Sequence, residues 1–141
     1  MGVRLAHMGR VAMDFATRLE AHPMVERVPH PALASCPGHA VFARDFQGAS
    51  GVFSILLKPA ASARFAAALD ALKVFAIGAS WGGTRSLVAP MAVTGDRTIV
   101  PWTHEGPLLR ISIGLEDPAD LWADLEAMLA ALAEPAHHHA A

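Results

Sequence analysis

The chain has 141 residues, enough for one domain with a moderate core. Apolar residues make up 53% and charged residues 17%, with a mean hydropathy of +0.35, which fits either an alanine-rich cytosolic protein or a domain that packs against something else. A net charge of −2, an isoelectric point near 6.4 and basic residues scattered singly argue against nucleic acid as a partner. No apolar run is long enough for a membrane span, and an N-terminal stretch carrying Arg4 and Arg10 is no secretory signal.

Residues 3–21 read as a helix, with Leu5, Met8, Ala12, Phe15 and Leu19 recurring at steps of three and four. No Ser, Thr, Asp or Asn cap precedes Val3, the pattern expected of a helix cut from a longer chain. Pro23 ends it, and Val25 to Val28 forms a short strand. Residues 29–40 form a loop rich in proline. Cys36, in Ser35-Cys36-Pro37-Gly38, is the only cysteine, so no internal disulfide is possible and a reducing cytoplasm is expected. As a lone thiol without a positioned base it reads as incidental. His30 and His39 with Cys36 do not follow a zinc-site spacing and read as loop residues.

Gly38 to Phe46 holds a short helix, and Gly51 to Leu57 a strand apolar on both faces, hence central in a sheet. Residues 60–72 predict a further helix with Phe65, Leu69 and Leu72 on one face, followed by an apolar run from Val74 to Ile77. The block 78–83 is a glycine-rich loop, Ser86 to Val88 begins a strand, and 89–107 is mostly irregular. Leu108 to Ile113 is a clear strand. Asp117-Pro118-Ala119-Asp120 starts a final helix, with an Asp cap and Pro at the first helical position. Leu121, Leu125, Met128, Leu129 and Leu132 form its buried stripe, and it fades by Pro135. Asp14, Glu20, Asp120, Asp124 and Glu126 read as solvated helix faces. The pattern predicts an α+β fold, a sheet with helices packed on one side. Residues 1–135 form one domain and 136–141 a disordered tail, in which His137 to His139 make no specific metal site.

Arg110 is the leading candidate for function. Alternation along the strand sends Leu109, Ile111 and Ile113 to one face and Leu108, Arg110 and Ser112 to the other. A guanidinium fork in that setting serves either an internal salt bridge to Glu105, Glu116 or another acid, or a bound carboxylate.

Two blocks carry a resemblance. Gly78-Ala79-Ser80-Trp81-Gly82-Gly83-Thr84-Arg85-Ser86-Leu87 and Leu108-Leu109-Arg110-Ile111-Ser112-Ile113-Gly114-Leu115-Glu116-Asp117 are similar to the C-terminal domain of cystathionine β-lyases, pyridoxal-phosphate (PLP) enzymes of sulfur amino-acid metabolism. His30-Pro31-Ala32-Leu33, Pro37-Gly38-His39, Arg44-Asp45-Phe46 and 48–54 extend the likeness over nearly the whole chain. The resemblance implies the small domain of a fold-type-I PLP-dependent enzyme. It implies β-elimination of L-cystathionine to homocysteine, pyruvate and ammonia, in an oligomer with active sites near subunit interfaces. By the same resemblance Arg110 binds the substrate α-carboxylate, and Ser80 and Trp81 line the pocket. Trp81 favours the β-lyase branch, since the related γ-enzymes usually carry an aliphatic residue there.

Arg85 stands where the family usually has glutamate, and Ser112 where histidine is common; both are expected near the pocket. Lys58 and Lys73 are the only lysines, neither in a setting like the family's aldimine lysine, and the chain has no tyrosine. No catalytic, cofactor or metal residue is therefore assigned. The chain is expected not to bind PLP alone, to be inactive by itself, and to derive from a truncated or split reading frame. The alternatives are a non-catalytic carboxylate-binding module, half of a split enzyme that complements a separate cofactor domain, or a degraded fragment without function.

Overall fold

The computed structural model describes residues 2–97 and 99–133. The expected tail at 136–141, with His137 to His139, lies outside them.

Amphipathic spacing gives helix α1 (Gly2–Glu20), which buries Met8, Val11, Ala12, Phe15, Ala16 and Leu19. Leu5 departs from the expected stripe: it lies beyond the packed part of α1 and is 48% exposed. Strand β1 (Val25–Arg27) follows, then a run of turns and helix α2 (His39–Asp45), which buries none of its residues. Strand β2 (Val52–Leu57) runs beside β5 (Leu108–Ser112), the middle strand. Strands β3 (Ala76–Ile77) and β4 (Leu87–Met91) complete a sheet of order β1-β2-β5-β4-β3. All pairings are antiparallel except β3 with β4. The strand expected to be central, β2, is therefore internal but second from the edge.

Two expected elements change. The region read as one helix over 60–72 is a 3-10 turn at Pro59–Arg64 followed by a short helix α3 (Phe65–Asp70). Proline at its first position starts the helical turn, and Arg64, at φ −110° and ψ −1°, departs from α-helical backbone, so the turn and α3 do not merge. The region expected to be irregular from 89 holds the end of β4, which runs through Pro90 to Met91. Gly78 N donates to Val88 O and Ala76 N to Ser86 O, so alternate β4 residues face β3. β3 ends at Ile77, so the Pro90 nitrogen faces an open edge and no ladder bond is lost there.

Helix α4 (Pro118–Ala133) begins as the sequence dictates, with Ala119 N donating to Asp117 Oδ1 at 2.8 Å. It buries Leu121, Leu125, Met128, Leu129 and Leu132. These side chains join Phe53, Ile55, Leu57, Leu109, Ile111 and Ile113 of the sheet, with residues of α1 and α3, in one core. Three helices thus cover one sheet face. Asp124, expected on a solvated face, is buried instead. It accepts the backbone amides of Lys73, Val74 and Phe75 at 2.8, 2.9 and 2.9 Å, satisfying the donors of the turn that leads into β3.

No helix among the described residues is long and apolar enough to cross a membrane.

Candidate functional site

Arg110 rises from the sheet face opposite the helical core. Its lateral partners are Ser54 on β2 and Ala89 on β4, both small, so neither strand neighbour blocks the guanidinium. The loop from 78 to 84 folds over it. Arg110 Nη2 donates to the carbonyl of Ala79 and, at 3.2 Å, to that of Ser80. Its Cζ lies 5.0 Å from the centroid of the Trp81 ring, within reach of the ring's negative face. The second half of the loop is tied to the strand that carries Arg110 and to the segment after it. Gly82 N donates to Ser112 Oγ at 3.1 Å, and Leu115 N to Thr84 O at 2.8 Å. Gly82 has φ +73°, a left-handed conformation that a side chain disfavours.

A second set of bonds locks the far end of this loop. Ser86 is fully buried; its amide and hydroxyl donate to Glu116 at 2.7 Å each, and its hydroxyl accepts from Gly114 N at 2.7 Å. Partial burial pushes the Glu116 carboxyl up. The Ser86 hydrogen bonds and the nearby Arg85 charge outweigh it and hold its pKa below the ordinary value. Arg85, expected near the pocket, acts on Glu116 and is not among the residues that line the cavity. Ser112 does line it.

Among the described residues Arg110 does not take up the salt-bridge reading. Among the described residues no carboxylate pairs with it, and Glu116 is engaged by Ser86. The guanidinium is half-buried beside a cavity of about 490 Å³. Trp81 and Gly82 come to this cavity from the loop, and Leu5, Met8 and Val52 supply apolar wall. Trp81 itself is 63% exposed. Ser80 contributes its carbonyl to Arg110 and is not a wall residue. The fold thus brings Arg110, Trp81 and Ser112 together, with Ser80 behind them.

Sequence reasoning missed Arg4 and the α1 contribution to this wall. Its one signal was Arg4 standing four residues before Met8, on the same helix face. α1 approaches because Gly51 carries no side chain: a Cβ there would lie 2.8 Å from Met8 Cβ.

Comparison with known proteins agrees with this architecture. The family model described as Cys/Met metabolism PLP-dependent enzyme matches residues 1–130, and the chain belongs to that family. A candidate cystathionine β-lyase of Rhizobium johnstonii is 48% identical over 135 residues, covering 93% of this chain and 34% of that protein. The L-alanine/L-glutamate racemase of Wolbachia pipientis is 40% identical over 131 residues, covering 92% of this chain and 32% of that protein. The crystal structure of cystathionine γ-synthase from Xanthomonas oryzae in complex with cystathionine superposes with a TM-score of 0.76 at 34% identity, covering 93% of this chain and 35% of that one. The chain spans about a third of the length of the proteins it matches. The fold is an α+β portion of that PLP-enzyme architecture.

The family's cofactor does not fit the residues present. An aldimine needs a lysine amine at the reacting centre. Lys58 is exposed just after β2, and Lys73 is exposed beside α4 in a separate depression with Asp124. Neither reaches the Arg110 cavity wall, and the chain has no tyrosine to stack on a pyridine ring.

Proposed function

We propose that this chain supplies the substrate-carboxylate site of a PLP-dependent carbon–sulfur lyase resembling cystathionine β-lyase. Arg110 binds the α-carboxylate, the Ser80 carbonyl fixes the guanidinium, and Trp81 covers the pocket. The observation that carries this reading is an arginine tethered by backbone carbonyls and an aromatic ring, facing a cavity, with no carboxylate of its own among the described residues. Carbonyls hold the fork in place without neutralising it, so a charge-assisted pair remains to be made. Proteins similar to this chain are named for different reactions, on cystathionine, L-alanine and L-glutamate. Those molecules share an α-carboxylate beside an amine, the group such a site would recognise. Fixing the carboxylate orients the bonds at Cα, a large part of what a binding residue contributes to rate.

Calorimetric titration with S-methyl-L-cysteine and with its methyl ester tests the reading. The free acid should bind and the ester should bind about tenfold more weakly or not at all. Equal affinity for the two would discard it.

One observation favours a division of labour: the cavity has no lysine. The chain alone then performs no β-elimination and serves as one part of an enzyme whose cofactor-bearing residues lie elsewhere. Incubation with PLP, borohydride reduction and mass mapping should give no stoichiometric adduct. A single adduct on Lys58 or Lys73, with pyruvate released from cystathionine, would make the chain a minimal enzyme.

A further inference from the structure

Arg110 is not the only cation over its cavity. Arg4, projecting from α1, lines the same space, and among the described residues none of the lining is acidic. Among the described residues neither guanidinium is paired with a carboxylate. Like charges facing one partly enclosed space repel, and a bound anion relieves this.

The two arginines enter from different elements. Met8 packs on Gly51, whose carbonyl accepts from Ile113 N at 2.8 Å, so α1 sits against the end of β5. Arg4 is one helical turn from Met8 on the same face, about 6 Å along the axis. Arg110 comes from β5, on the same strand face as Ser112. The rest of the wall is mostly apolar, with Leu5, Met8, Val52 and Ile113 beside the polar Ser50 and Ser112.

We infer that Arg4 is a second anion-binding residue of this cavity. It selects ligands that carry a carboxylate at each end of an apolar linker, with Arg110 holding one and Arg4 the other. The inference rests on the proposed carboxylate site and deepens it: an amino acid ending in a second carboxylate uses both arginines, and one with an apolar end uses Arg110 alone. L-cystathionine is a thioether of the first kind and S-methyl-L-cysteine of the second.

The test is calorimetric titration of the 141-residue chain with each thioether, in four forms: unmodified, Arg4→Gln, Arg4→Lys and Arg110→Gln. Thermal melting checks that each variant is folded; Arg4 is exposed and its replacement should leave the midpoint unchanged. Arg4→Gln should weaken L-cystathionine about threefold to fivefold, the scale of an exposed ion pair, and leave S-methyl-L-cysteine unchanged. Arg4→Lys should restore most of that loss. Arg110→Gln should weaken both ligands about tenfold. If Arg110→Gln weakens both but Arg4→Gln does not discriminate between them, the role of Arg4 is overturned and the carboxylate site stands. If Arg110→Gln changes neither, or the unmodified chain binds neither at millimolar concentration, the carboxylate site falls and Arg4 with it.

Discussion

Asp124 and His30 show how single buried polar groups shape this fold. The Asp124 carboxylate serves three amides of the turn before β3, a task the sequence hid because its neighbours Asp120 and Glu126 are exposed. Replacement by alanine would strand those donors, at about 1–3 kcal/mol for each one that water does not reach. Asp124→Ala should therefore lose at least about 2 kcal/mol in urea unfolding, while Asp120→Ala should lose little. His30 is fully buried against the Phe53 ring. Its Nδ1 accepts from Ala32 N at 3.2 Å, so the ring proton sits on Nε2, which has no hydrogen-bond partner among the described residues. Burial pushes its pKa below the ordinary histidine value, only partly opposed by a backbone hydrogen bond. The folded state then resists protonation while the unfolded state accepts it, so stability is full above about pH 6.5 and falls as the pH drops below it. Burial lowers His22 in the same direction. Unfolding midpoints at several pH values should fall less steeply for His30→Asn than for the unmodified chain; equal slopes would remove His30 as the cause.

Periodicity made the long elements legible. α1, α4 and β5 carry apolar spacing over enough residues to fix both type and facing, and strand alternation alone picks out the inward set Leu109, Ile111 and Ile113. Short elements are set by partners distant in sequence. β4 passes through Pro90 because β3 stops short beside it, which no local pattern announces. The site divides in the same way. Arg110 and its loop stand out as motifs, whereas Arg4 reaches the cavity only through the packing of Met8 on Gly51. The Ser86–Glu116 bonds likewise link segments 30 residues apart. The low pKa of Glu116 means that its share of stability is present above the ordinary glutamate range and is lost as the pH falls through that range. Glu116→Gln should accordingly flatten the acid limb of the stability curve below about pH 4.5. It should also loosen the 78–84 loop, visible as faster amide exchange at Gly82.

The whole molecule presents a lopsided surface. Beyond the packed core, Leu5 together with Val41, Phe42 and Phe46 of the unburied α2 region line a second, largely apolar groove of about 990 Å³. Phe42 and Phe46 stack on each other, and Phe46 is still 62% exposed. An open apolar surface of this kind favours association. Sedimentation velocity should show self-association that rises with concentration, and Phe46→Ser should reduce it without lowering the melting midpoint. A monodisperse monomer at high concentration, with no binding of a hydrophobic dye, would count against this. The manner of that association is constrained by Pro90. A sheet margin normally invites another chain to add a strand, but here one margin is a two-residue β3 beside a β4 segment that lacks an N–H donor at Pro90. Contacts made through the groove leave the backbone ladder untouched, while Pro90→Val restores an N–H at the β3–β4 margin and should raise the binding of an amyloid dye by concentrated samples.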